Sequence, residues 1–160
     1  MFEDVPDDEI RAVLTRFKRI AVVGLSENPA RPSYGVAAYL LRQGYEIDPV
    51  NPTIAGRTVL GRTVYASLRD LPRPPEIVDV FRRSEFVPPV AEDAIAVGAK
   101  VLWTQYDVVN DVAAQRAADA GLIVIQDHCT AADHRRLGIG PVSGTHPPAP
   151  FSGREGGAEG

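Results

Sequence analysis

A chain of 160 residues with 44% hydrophobic and 24% charged side chains has the composition of one globular domain rather than two. Its formal net charge of −4 argues against a protein that holds nucleic acid or an anionic membrane surface by bulk charge. No apolar run reaches the roughly 20 residues of a membrane-spanning helix, and the acidic start Glu3-Asp4-Val5-Pro6-Asp7-Asp8-Glu9 is the opposite of a secretory signal, so a cytoplasmic location is expected.

Pro6 followed by Asp7, Asp8 and Glu9 suits a helix start, because acids complement the N-terminal dipole. Ile10, Val13, Leu14 and Phe17 then fall at helical spacing and predict a helix over 7–18. Arg19-Ile-Ala-Val-Val-Gly24 is a short apolar run ending in glycine, the mark of a strand buried on both faces. A proline-stiffened loop follows, and Ser33 is the expected N-cap of a helix through Gln43, with Gly44 as its stop. Residues 45–50 read as a second strand, ended by Asn51-Pro52. The stretch 53–66, with Gly56 and Gly61, reads as an irregular excursion holding a small hairpin, and 67–71 as one helical turn. Beyond it come a third strand at 76–81, a helix at 87–97 with Pro88 and Pro89 in its first turn, and a fourth strand at 100–105. A helix at 109–120, a fifth strand at 122–125 and a short helix at 130–137 complete the series.

This alternation specifies an α/β fold: a Rossmann-like, doubly wound parallel sheet of five strands with helices on both faces. The expected strand order is 3-2-1-4-5, with ligands at the carboxyl ends of the strands near the topological switch point. Glycine and proline crowd residues 138–160 and few large apolar side chains remain there to offset the entropy of ordering. The domain is therefore expected over 1–137 and a flexible tail over 138–160.

The first strand–loop–helix unit reads Gly24-Leu-Ser-Glu-Asn-Pro-Ala-Arg-Pro-Ser-Tyr-Gly35. It brings a helix N-terminus to the end of the first strand, where orphan N–H groups and the macrodipole favour phosphate. It is not the G-x-G-x-x-G loop of dinucleotide binders. A NAD site also wants a carboxylate at the end of the second strand, and Val50-Asn51-Pro52 offers none, while Asp48 should lie inside the strand. NAD is disfavoured on these residues alone.

Three motifs together resemble a family: Gly24-Leu-Ser-Glu-Asn-Pro-Ala-Arg-Pro-Ser-Tyr34, Gly44-Tyr-Glu-Ile-Asp-Pro-Val-Asn-Pro52, and Val78-Asp-Val-Phe-Arg-Arg-Ser-Glu85. They look like the free-standing bacterial and archaeal CoA-binding domain proteins. Those are similar to the CoA-binding N-terminal domain of the succinyl-CoA synthetase alpha subunit. The resemblance runs over roughly residues 8–138. It implies that Gly24, Ser26 and the segment Arg31, Pro32, Ser33 and Tyr34 cradle the pyrophosphate of coenzyme A. Asn51 and Pro52 would flank the adenosine end, and Phe81, Arg82 and Arg83 would close the other side. Arginine forks suit phosphate oxygens, although an adjacent arginine pair is also an ordinary solvated loop. Of the 17 basic residues only Lys18 and Lys100 are lysines, so the arginine excess is general and points to a site only where it falls on these loops.

The chain departs from the pattern in three places. Asp48 stands where the family often has an apolar residue, Tyr106-Asp107 where it has an apolar-Gly pair, and His128 where it has arginine. Asp127-His128-Cys129 and Asp133-His134 cluster after the fifth strand, but a lone Cys-His neighbourhood is a poor triad signal and Cys129 is equally a small buried hydrophobe. No catalytic residue and no metal site are assigned. Gln105 and Trp103 are candidates for the pocket wall, Trp103 equally for the core. The residues leave no room for the catalytic domains of the ligase, so the resemblance supports binding of CoA or an acyl-CoA, not thioester synthesis. An NADP-dependent oxidoreductase and a thiol-based redox or acyl-transfer enzyme using Cys129 remain as alternatives. No nucleic-acid or membrane partner is expected, and no protein partner is assigned.

Overall fold

A computed structural model describes residues 4–142. Helix α1 (Asp7–Arg16) carries its three acids in the first turn and buries Ile10, Val13 and Leu14. Strand β1 (Arg19–Val23) leads through the loop at 24–31 to α2 (Pro32–Arg42), and β2 (Glu46–Val50) follows. The excursion contains the two-stranded hairpin β3 (Thr58–Val59) and β4 (Arg62–Thr63), flanked by single helical turns at Pro52–Ile54 and Leu68–Asp70. Then come β5 (Ile77–Val80), α3 (Val87–Ala96), β6 (Val101–Thr104), α4 (Asp111–Asp119), β7 (Ile123–Ile125) and α5 (Thr130–Arg136).

The five long strands form one parallel sheet in the order β2-β1-β5-β6-β7. This is the expected Rossmann-like α/β class, with one correction: the third long strand lies beside the first, not outside the second, giving 2-1-3-4-5 where 3-2-1-4-5 was expected. The physical reason is visible in β2. Pro49 has no N–H to give a ladder, so it belongs on an edge strand. The outer side of β2 is taken instead by the excursion, where Tyr65 N–H donates to Pro49 O (3.0 Å) and Asn51 N–H to Tyr65 O (2.8 Å). No room is left there for a third long strand.

Side chains alternate across the sheet, so each face has its own core. Ile20, Val22, Ile47, Ile77, Val101, Trp103 and Ile125 pack with α1 and α2 on one face. Ala21, Val23, Val78, Val80, Leu102 and Val124 pack with α3 and α4 on the other. Trp103 is fully buried and its Nε1 donates to His128 O (2.8 Å), so it is core and not pocket wall. Past α5 the chain folds back: Ile139 and Val142 pack against the first core, and Val142 N–H donates to Gln43 O (2.6 Å). The expectation of a flexible tail concerns, beyond Val142, residues outside the described ones.

Candidate functional site

Strand β1 ends at Gly24, whose φ of +91° lies in the left-handed region that favours glycine. A Cβ there would stand 2.6 Å from Phe81 O and 3.2 Å from Arg82 Cδ. The loops after β1 and β5 therefore touch backbone to backbone at the switch in chain direction. The loop beyond Gly24 is tied by its own short side chains: Ser26 Oγ accepts from Asn28 N–H (3.0 Å), and Asn28 Oδ1 from Ala30 N–H (2.9 Å). Ser33 does not cap α2. Arg31 is the cap residue, no side chain caps the helix, and Pro32 sits in its first turn. Proline, with no N–H to satisfy, suits that position, and it frees Ser33 Oγ to accept from Ser26 N–H (3.0 Å).

These loops wall a cleft of about 780 Å³ at the carboxyl ends of the sheet, within the size range of small-molecule sites. Gly24, Ser26, Arg31, Pro32, Ser33, Asn51, Phe81, Arg82 and Arg83 all line it, so nine of the eleven expected site residues converge. Tyr34 instead packs, half-buried, against the first core, and Pro52 lines a smaller adjoining hollow of about 200 Å³ together with Arg82. Asn51 is used internally: its Nδ2 donates to Leu25 O (3.0 Å) and its Oδ1 accepts from Thr53 N–H and Oγ1. It fixes the entry of the cleft through its bonds to the chain.

Arg82 and Arg83 both lie against the Phe86 ring, at 4.7 and 5.1 Å from its centroid, which holds two like charges side by side. Among the described residues no carboxylate stands within ion-pair reach of Arg31 or Arg82, and Glu85 stands only 4.0 Å from Arg83. The cleft is thus a cationic mouth beside a helix N-terminus. A second concavity, of about 570 Å³, is lined by Asp4, Asp7, Asp111, Asp127 and Asp133 together with His128 and Arg136, so acids outnumber cations there and disfavour an anion.

The far wall of the main cleft comes from Gln105, Tyr106, Asp107, Val108 and Cys129. Asp107, where the family pattern has glycine, takes φ +67°, a conformation aspartate tolerates, and its N–H is held by Asp127 Oδ1 (2.7 Å). Burial pushes the Cys129 thiol up, opposed only in part by the N–H groups of Ala131 and Ala132. A raised thiol is the opposite of an activated nucleophile. His134 is buried and lowered by burial; its ring joins Tyr39 Oη (2.7 Å) to Gly140 O (2.8 Å), a packing role. Burial lowers His128, but the bonds and charges of Asp4 and Asp133, both within 2.8 Å, outweigh it and raise the imidazole. Asp48 lies inside β2, raised by burial, and is not at the strand end that a ribose hydroxyl needs.

Beneath this wall lies a group that sequence reasoning missed. Asp79 of β5 is fully buried, and burial pushes it up to about 7, against the lowering bonds from Gln105 and Thr130. Gln105 Nε2 donates to Asp79 Oδ1 (2.5 Å) and Thr130 Oγ1 to Asp79 Oδ2 (3.0 Å). The only signal available was an acid in an otherwise apolar strand, which must find partners.

Residues 18–135 match the family model described as CoA binding domain. The chain belongs to the CoA binding domain family. Within reach of that family, it is 46% identical over 126 residues to the Bacillus subtilis (strain 168) protein YneT, covering 79% of this chain and 92% of that one. A hypothetical protein from Pyrococcus horikoshii OT3 superposes with a TM-score of 0.80 at 42% identity, covering 86% of this chain and 99% of that one. The alpha subunit of acetate–CoA ligase [ADP-forming] I from Pyrococcus furiosus is 33% identical over 89 residues, which is 53% of this chain but only 19% of the subunit. The match to the ligase subunit is thus confined to about a fifth of that subunit's length.

Proposed function

We propose that this protein binds coenzyme A or an acyl-CoA through its phosphates at the carboxyl ends of the sheet, without catalysis of its own. The observation that carries the reading is the convergence of Arg31, Arg82 and Arg83 with the uncapped start of α2 around one cleft. Coenzyme A supplies what such a mouth fits: a pyrophosphate for the Gly24–Ser33 loop and a 3′-phosphate for a guanidinium fork. Its pantetheine arm then runs toward Gln105 and Cys129. The rise of the Cys129 thiol and the packing role of His134 support a binder over a thiol enzyme.

Thermal unfolding with a ligand panel tests this. Free CoA at 100 times its Kd stabilises by about 2.7 kcal/mol, a clear rise in melting temperature, while NAD gives none. NADP carries a ribose 2′-phosphate where CoA carries a 3′-phosphate, and it is the competitor. A shift with NADP and none with CoA overturns the reading in favour of an oxidoreductase. Arg82→Ala is expected to weaken CoA by about tenfold or more, since charge-assisted hydrogen bonds contribute roughly 1.5–3 kcal/mol. Unchanged affinity returns Arg82 to an ordinary surface role.

A further inference from the structure

Gln105 is the residue of the far wall whose hydrogen bonding is most constrained. It is 5% exposed and sits just past β6 with its backbone N–H on Val80 O (3.2 Å). Both donors of its amide face inward, one toward Asp79 Oδ1 (2.5 Å) and one toward Thr130 Oγ1 (3.3 Å). Asp79 in turn receives Thr130 Oγ1–H on its second oxygen (3.0 Å). Thr130 Oγ1 spends its hydrogen on Asp79 Oδ2, so toward Gln105 it can only accept, and that turns the NH₂ side of the amide inward. Its Oε1 accepts nothing from the described residues. Gln105 Oε1 is not among the sealed, unbonded side-chain atoms of the described residues, so it keeps access to the cleft its residue lines.

We propose that Gln105 is a specificity-determining residue of this cleft, a fixed acceptor that selects ligands whose arm brings a hydrogen-bond donor to the end of β6. Asp79 and Thr130 are the positioning residues that hold it. The inference rests on the reading of the cleft as a CoA site. The donor is an N–H of the pantetheine amides or the terminal S–H. A ligand offering only acceptors there leaves a nearly buried carbonyl unpaired and meets another oxygen, which costs more than a missing contact.

The test is titration calorimetry on the full chain with CoA, acetyl-CoA and adenosine 3′-phosphate 5′-diphosphate, which keeps the phosphates and lacks the arm. Gln105→Met, of similar shape with no strong acceptor, is expected to weaken CoA by about tenfold and to leave the armless nucleotide unchanged. Equal weakening of acetyl-CoA assigns the donor to an amide N–H; weakening confined to CoA assigns it to the thiol. Thr130→Val, which strips one donor from Asp79, is expected to weaken CoA about threefold, with Thr130→Ser restoring the wild-type value. Undiminished CoA affinity in Gln105→Met overturns the proposal. So does an equal loss on the armless nucleotide, because the substitution then acts on the whole site. If the wild-type chain binds neither CoA nor the armless nucleotide, the CoA reading itself fails, and that failure is seen before any variant is compared.

Discussion

Asp79 occupies an apolar strand with no cation beside it, so its ionised form is held only by Gln105 and Thr130. Its proton affinity is raised in the folded state, which sets the sign of a pH effect. Between the ordinary carboxylate range near 3.8 and about 7, the folded chain keeps a proton that the unfolded chain has lost. Stability contributed by this group therefore falls as pH rises through that window, with a slope of at most about 1.4 kcal/mol per pH unit. Asp79→Asn is expected to flatten that part of the profile, measured by urea unfolding at a series of pH values. A variant that keeps the full slope would show that another group titrates there. Asp79 is also where sequence reading stopped. Gln105 and Thr130 lie 26 and 51 positions away, and no local pattern links an acid in one strand to the ends of two other segments.

At the scale of elements, α3 and α4 pack through alanines: Ala91 and Ala94 on one helix, Ala113, Ala114 and Ala117 on the other, all buried. Small side chains let the two helices approach closely, and the exposed Arg116–Glu92 pair across the seam (2.9 Å) adds little. Ala94→Leu is expected to destabilise by about 1–3 kcal/mol, because the seam cannot make room for three more carbons without moving a helix. Thermal unfolding checks it, and an unchanged midpoint would mean that the seam is loose. The elements themselves were readable because hydrophobic spacing, caps and Gly/Pro punctuation agree along this chain: even the hairpin around Gly61 was expected within 53–66 and lies at 58–63. Two points of detail escaped. Ser33 looked like a helix cap because residue type cannot tell a hydroxyl facing its own helix from one facing Ser26. Strand order escaped because nothing within β5 names the strand it joins; the signal lies in β2, where Pro49 and the half-buried Glu46 and Asp48 mark a border strand. The cleft residues were largely readable since they sit in motifs at the ends of strands. What the motifs could not show was that Asn51 is spent on Leu25 and Thr53, or that Tyr34 turns to the core.

Over the whole molecule, the chain ends of the domain are clasped together on one face. Arg136 meets Asp7 (3.0 Å) and Asp133 (3.1 Å), and His128 links Asp4 to Asp133. After α2, Gly44, at φ +99°, passes so close beneath Val142 that a Cβ would overlap Val142 O. Gly44→Ala is therefore expected to cost at least about 1–2 kcal/mol from the backbone conformation alone and to lift residues 139–142 off the core. Hydrogen exchange at the Val142 amide, now bonded to Gln43 O, reads the second effect directly. Full protection in the variant, with an unchanged unfolding midpoint, would contradict the close passage.

The proline of β2 has a consequence for how copies of this protein meet. Alternate residues of that strand turn outward, and Glu46 N–H and Val50 O are already committed to the neighbouring segments on the β1 side. Of the outward positions, Pro49 has no hydrogen to give, while Pro49 O and Asn51 N–H are occupied by Tyr65. Only Ile47 is left to offer a foreign strand a donor and an acceptor together. Polymerisation by strand addition needs a run of such positions, so this border of the sheet is closed to runaway stacking even when local concentration is high.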